Sequence, residues 1–479
     1  GPNPPTGPGI TPVGGNEYTC DLAADGTCSV NVTSASIASG TITLLSVSGD
    51  FGNGTITGST SADPVSLVEA GPGSLDATKQ GAQIEVDVES DAVNLTGDDH
   101  VFTITADYLL PGPARAGVEV GTEIFYTFGP TGTELPAGSC TTGVGASCQV
   151  TVSSDDPGSG TLLVTQVRLL NGETATVDGG TLVEARPGSL DATKTWVAFD
   201  VAVTPDAEVN ALGDEHTFRV TVQVDSGSGL GPLTIPPDGG TVDWVFAPST
   251  GPNQTGTCTL VDPGICDVVI ASPADPGTGT FTATSLDATV GGTDLPVIDL
   301  TTTGQSGQTA DFEANPSGDK EWVRIAANVA DSATNQAGDE HVFTISAELE
   351  RGDGSVGPAN GATAYFTWTG DGAVTGGATP APPPDDRVAC TLDAAGECEV
   401  TVDNATTGSG VIEIVQIDTT VDGDDISATP TVSLVPTDGG SLSATKTWVD
   451  LVVDVYPDDT NLLGDPHTFT LEARIDRDG

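Results

Sequence analysis

The chain of 479 residues carries 68 acidic against 13 basic side chains, a formal net charge of −55, together with 62 glycines, 33 prolines and few aromatics. A surface so acidic repels nucleic acid and anionic lipid, which argues against both as partners, while it attracts divalent cations. No apolar run reaches the roughly 18 residues of a membrane-spanning helix, and the Gly- and Pro-rich composition favours short strands joined by tight turns.

In chain order, a Pro/Gly-rich opening (Gly1-Pro2-Asn3-Pro4-Pro5, the edge of a processed or excised chain) leads into a cysteine turn around Cys20 and Cys28. Strand-like stretches follow through Ile42, Leu44 and Val47, then PGSLDATK from Pro72 to Lys79 and the alternating strand Ile84, Val86, Val88. Next comes NLTGDDHVF, Asn94 to Phe102, and from here the chain repeats itself. The same motif returns as NALGDEHTF (Asn210 to Phe218), NQAGDEHVF (Asn335 to Phe343) and NLLGDPHTF (Asn461 to Phe469), and it holds all four histidines, His100, His216, His341 and His467. The intervals are 116, 125 and 126 residues (100 to 216, 216 to 341, 341 to 467), the size of one immunoglobulin-like domain with its loops. Each motif reads as an Asn/Gly/Asp turn feeding an alternating strand.

The eight cysteines form four pairs with seven residues between: Cys20/Cys28, Cys140/Cys148, Cys258/Cys266 and Cys390/Cys398. Zinc would want closer spacing or nearby histidines, so disulfides are expected, each closing a hairpin whose tip carries a glycine. Oxidised pairs place the protein outside the cell or on its surface.

The order of a histidine-motif strand, a Gly-Pro turn (Gly112-Pro113, Gly357-Pro358), an aromatic strand (Ile124 to Phe128, Val242 to Phe246, Tyr365 to Trp368), the cysteine turn and a G-S-G-T-like stretch resembles the bacterial immunoglobulin-like domains of the invasin and intimin type. That resemblance implies β-sandwiches serving as stalks and spacers in surface adhesins. The expected fold is all-β, tandem immunoglobulin-like sandwiches in an elongated array. The partition by motif is 1–90, a domain lacking its first strand; 91–205, 206–330 and 331–457, complete domains; and 458–479, a first strand for a following domain. Setting Asp478-Gly479 before Gly1-Pro2 restores the Gly-Pro turn, which suits one period of a longer tandem chain or subunits that donate a strand head to tail.

No catalytic constellation is expected: there is one histidine per repeat, and neither G-x-S-x-G nor H-E-x-x-H occurs. Calcium is the ligand hypothesis, because oxygen donors cluster at each repeat: Asp91, Asn94, Asp98, Asp99; Asp206, Asn210, Asp214, Glu215; Asp331, Asn335, Asp339, Glu340; and Asp458, Asp459, Asn461, Asp465. The replacement of Glu215 by Pro466 in the last copy weakens it, and closure of the turn by Asn and Asp accounts for the same residues. Lysine also occurs once per repeat, at Lys79, Lys194, Lys320 and Lys446. Its plain role is a salt bridge to the nearby carboxylates; its sharper one is an isopeptide bond to asparagine, which requires a buried lysine and a buried acid. Trp196, Trp322 and Trp448 follow two residues later and suit core packing over a carbohydrate platform. The functional expectation is a non-enzymatic extracellular structural protein, the repeating unit of a filament or stalk whose partner is itself. The alternative is a cell-surface adhesin binding glycan or protein through its loops.

Overall fold

The computed structural model describes residues 3–50, 55–59, 65–66, 74–112, 114–130, 137–233, 240–330, 332–381, 386–456 and 458–477, and every regular element among them is a β-strand. Two compact units result, Gly1–Ala198 with Val224–Leu230, and Phe199–Gln223 with Gly231–Gly479.

In the second unit the sandwich from Arg324 to Val449 shows how the pattern builds two layers. Strand His341–Glu350 lies between the end of Ser317–Val329 and strand Glu397–Asp403, with Leu434–Pro436 running parallel on the far side. The facing sheet places Gly408–Val421 between Thr363–Gly370 and Ser443–Tyr456, and Val388–Thr391 extends it. Alternation drives one face of each strand inward: Phe343, Ile345 and Ala347 are buried, as are Ile412, Ile414, Ala364 and Phe366 from the other layer. In the first unit Ile84, Val86, Val88, Phe102, Ile104, Val150, Leu162 and Val164 build an equivalent core. Each such large side chain stabilises the fold by about 1.5–3 kcal/mol on burial. These are tandem immunoglobulin-like β-sandwiches, with the first strand split between the layers: Ala333–Gln336 leaves the first sheet and pairs in parallel with Ser443–Tyr456 of the second.

The split places the repeat junctions inside strands. Along Ser317–Val329, residues Ser317 to Trp322 pair with Gly277–Asp287, while Arg324 to Val329 pair with His341–Glu350. One strand therefore ends one sandwich and begins the next. The partition drawn from the motifs put this boundary at 330/331, because the histidine turn is the most visible punctuation; that turn instead joins the two sheets within a sandwich. At this junction Val209, Ala211, Val323, Val421 and Ile426 share a small core. Beside it the Arg351 guanidinium donates to both carboxylate oxygens of Glu321, at 3.0 and 2.6 Å, and also to Asp422.

The four cysteine pairs, Cys20–Cys28, Cys140–Cys148, Cys258–Cys266 and Cys390–Cys398, are bonded, with Cα separations of 6.2, 5.9, 6.0 and 6.3 Å. The expected hairpin is not what the last three close. Cys140 lies on a strand paired with Glu123–Pro130, whereas Cys148 lies on a strand paired with His100–Leu109 of the opposite sheet. Cys258 and Cys266 divide in the same way: Gln254–Thr259, which carries Cys258, pairs with Thr241–Pro248, and Ile265–Ile270, which carries Cys266, pairs with His216–Asp225. Cys390 and Cys398 repeat the division. A tight turn at the tip, with Gly145, Gly264 and Gly396 at positive φ, sends the chain across the sandwich instead of back along its own sheet. Each of these bonds therefore staples one sheet to the other beside the core. In the first repeat Cys20 ends strand Glu17–Cys20, and Cys28 lies in no strand.

The two ends of the chain are different. Among the described residues none before Ile84 and none after Trp448 is buried. The hairpin of Asp450–Tyr456 with Thr470–Asp476 repeats the opening strand pair of a sandwich, yet Leu451, Val453, Val455, Leu471 and Ile475 are exposed.

Because each disulfide restrains a short loop, its removal should cost somewhat less than the roughly 3 kcal/mol of a 15-residue closure. Replacing Cys390 and Cys398 together by alanine should lower the denaturant midpoint of the second unit, read by tryptophan fluorescence; an unchanged midpoint would show that the staple is dispensable.

Candidate functional site

The last strand of each complete sandwich carries the sequence K-x-W at inward-facing positions. Residues two apart share a face, so Ala192, Lys194 and Trp196 all point into the core, as do Lys320 with Trp322 and Lys446 with Trp448. The lysines are 0%, 1% and 0% exposed, which makes them among the most deeply buried large side chains of the protein. The salt bridge to nearby carboxylates expected of them is not formed: among the described residues no ion pair joins a carboxylate to Lys194, Lys320 or Lys446.

What they meet is asparagine. The short parallel strand brings Asn94 opposite Trp196, Asn210 opposite Trp322 and Asn335 opposite Trp448, each two register steps from the lysine's own partner. Lys194 Nζ contacts Asn94 Oδ1, and Lys320 Nζ lies 2.5 Å from Asn210 Oδ1. The Nζ of Lys446 is buried without a partner. The turn after the asparagine is held from both sides. The asparagine Nδ2 donates to the carbonyl five residues on, that of Asp99, Glu215, Glu340 or Pro466, at 3.1 to 3.2 Å. The indole N–H donates to the carbonyl of Asp98, Asp214 or Asp339, at 3.1, 2.9 and 3.1 Å. Gly97, Gly213, Gly338 and Gly464 supply the positive φ that closes it. Only the backbone of the fifth residue is used, so Pro466 serves where the other copies have an acid.

Each histidine packs edge-on against the phenylalanine two residues later, with centroids 4.6, 4.4, 4.6 and 4.3 Å apart. In His100, His216 and His341 the Nε2 is buried without a partner. Burial, then the neighbouring lysine charge, pushes all three below the ordinary imidazole range, His216 to about 4. Burial likewise lowers Lys194 and Lys320 to about 8, and lowers Lys446. The cluster is thus an amine, an amide and a neutral imidazole enclosed with a tryptophan, and Lys320 and Lys446 lie 5.7 and 5.9 Å from the indole rings.

The residues named for calcium are dispersed among these roles. Asp91 Oδ1 accepts the Thr193 N–H at 2.7 Å, the Asp206 carbonyl accepts from Asp319 at 2.7 Å, and Asp459 Oδ1 accepts from Thr460 at 2.7 Å. Asp465 donates its N–H to the Leu462 carbonyl, Asp458 is exposed, and Asp331 lies outside the described residues. Among the described residues no three His, Cys, Asp or Glu side chains gather as a metal would need. The sequence marked the asparagine, lysine, tryptophan and histidine separately; the register that joins them spans about a hundred residues and no local signal carries it.

No family model and no curated protein matches the sequence. Among solved structures the chain is similar to the three N-terminal domains of the bacteriophage RB49 Highly Immunogenic Outer Capsid protein (12% identity, 74% of this chain, 99% of that one, TM-score 0.33). It is also similar to invasin, a bacterial integrin-binding protein (14%, 81% and 67%, TM-score 0.25), and to the D0-D1 domain of intimin (13%, 46% and 98%, TM-score 0.15). These likenesses assign no role to any residue above.

The buried histidine sets a pH dependence. Its folded value near 4 lies below the ordinary 6.5, so the stability it contributes is complete above pH 6.5 and is lost as pH falls toward 4, where the folded state also takes the proton. The difference in thermal midpoint between wild type and His216→Gln should narrow across that interval; a difference independent of pH would refute neutral burial. Trp322→Phe, which keeps an aromatic ring but leaves the Asp214 carbonyl without its donor, should cost about 1–3 kcal/mol in unfolding free energy by denaturant titration, and no cost would show that the indole bond is not holding the turn.

Proposed function

We propose that the protein is a non-enzymatic, extracellular structural element, the repeating unit of a filament or stalk that runs head to tail through its immunoglobulin-like sandwiches. The observation that carries this reading is the unburied hairpin of Asp450–Tyr456 and Thr470–Asp476. It has the sequence and pairing of a sandwich's opening strands, and its apolar side chains, Leu451 64%, Val455 55% and Leu471 72% exposed, lack the layer that covers their counterparts elsewhere. The first repeat is the complement: among the described residues it has the cysteine turn and the lysine strand Asp76–Gly81, but no opening strand pair of this kind. A second copy supplying that pair would complete the sandwich by donor-strand complementation, and such a contact propagates because it is heterologous. Disulfides and a strongly acidic surface suit an oxidising, extracellular setting. Calcium held by the acidic turns belongs to the same proposal.

The adhesin reading draws less support. All five tryptophans are buried or half-buried, which leaves no exposed indole as a platform for a glycan. Among the described residues nothing sets one sandwich apart as a binding head.

Negative-stain electron microscopy of the purified protein, with and without EDTA, tests the proposal. Filaments with a regular domain repeat are expected, and their loss in EDTA would assign calcium to the joints. Isolated short particles at all concentrations would overturn self-assembly of this chain.

A further inference from the structure

We propose that the buried lysine and asparagine of each complete sandwich are joined by an intramolecular isopeptide bond, Asn94 to Lys194, Asn210 to Lys320 and Asn335 to Lys446. Three observations lead there. A lysine ammonium fully inside a sandwich core, with no carboxylate paired to it, is costly, yet the arrangement recurs three times. Lys194 and Lys320 each bring Nζ against the asparagine Oδ1, which sets the amine beside the amide carbon that bears that oxygen. Lys446 Nζ, in the same register beside Asn335, has no hydrogen-bond partner at all, and an uncharged amide nitrogen there removes an orphaned buried amine.

The chemistry balances without an outside reagent. The neutral lysine amine attacks Cγ of the asparagine; the Nζ–Cγ bond forms, the Cγ–Nδ2 bond breaks, and one proton passes from Nζ to Nδ2, which leaves as ammonia. Burial favours the neutral amine, and the bond from Nδ2 to the carbonyl five residues on fixes the plane of the amide. The imidazole of His216, buried beside Lys320 with its Nε2 free, is the neutral base the cluster offers for the proton.

The topology gives such a bond a purpose. The asparagine stands near the start of each sandwich and the lysine on its last strand, 100 and 110 residues later in the first two. Tension entering through one long strand and leaving through the next would pass across the bond and bypass the residues between. Lys79 and Asn461 belong to the same two series and are exposed, the latter holding its turn through the same bond to the carbonyl five residues on. If the head-to-tail reading above holds, Asn461 of one copy meets Lys79 of the next and the same reaction seals the filament.

Intact-mass spectrometry of the reduced, denatured wild-type protein tests the bonds within one chain. The mass should fall below that of the sequence by about 17 Da of ammonia for each bond, and tryptic digestion should yield the joined peptides Asn94–Lys194, Asn210–Lys320 and Asn335–Lys446. Asn210→Ala should abolish the second link alone while the links of the other two sandwiches persist. Full sequence mass with all these peptides separate would overturn the proposal, leaving lysine and asparagine as a buried hydrogen-bonded pair. A ladder of multimers on a reducing, denaturing gel, with Asn461 joined to Lys79, reads the joint between copies independently: its absence refutes covalent sealing and leaves the intrachain assignment to the mass measurement.

Discussion

The whole arrangement depends on strands that are longer than one sandwich. Ser317–Val329 is hydrogen-bonded through its first half to one sheet and through its second half to another, so no flexible linker intervenes between the second and third complete sandwiches. A β-strand cannot bend freely at such a point without losing ladder bonds on both sides, and the junction adds a small apolar core and the Arg351 pairs. Continuity of the strand makes the two sandwiches share one hydrogen-bonded element.

The same strand carries the buried cluster. Its K-x-W face turns inward just before the strand passes to the next sandwich, and the asparagine turn closes over it. The last strand is thereby tied to the first within each repeat. The disulfide performs a different task at another place, joining the two sheets to each other, as Cys266 and Cys398 do with partners across the sandwich. Together these ties restrain each sandwich in a chain whose net charge of −55 favours expansion.

Each feature that stands out from an ordinary sandwich is a cross-tie: the long strand, the sheet-to-sheet disulfide, and the amine held against an amide.

The sequence by itself determined the fold class, the repeat and the cysteine partners, because strand alternation, the turn glycines of N-x-x-G-D and the seven-residue spacing are local properties. It also marked the lysines, asparagines, histidines and tryptophans by their recurrence in each repeat. Only the tertiary structure decided where the repeats divide, that Cys140 and Cys148, like Cys258 and Cys266, belong to opposite sheets, and that Lys320 is enclosed against Asn210 instead of reaching a carboxylate in solvent. The reason is physical: these outcomes depend on which distant strand supplies each hydrogen-bond ladder, and the switch of the opening strand from one sheet to the other, at Ala207–Ala211 and at Ala333–Gln336, is fixed by the packing of residues about a hundred positions away.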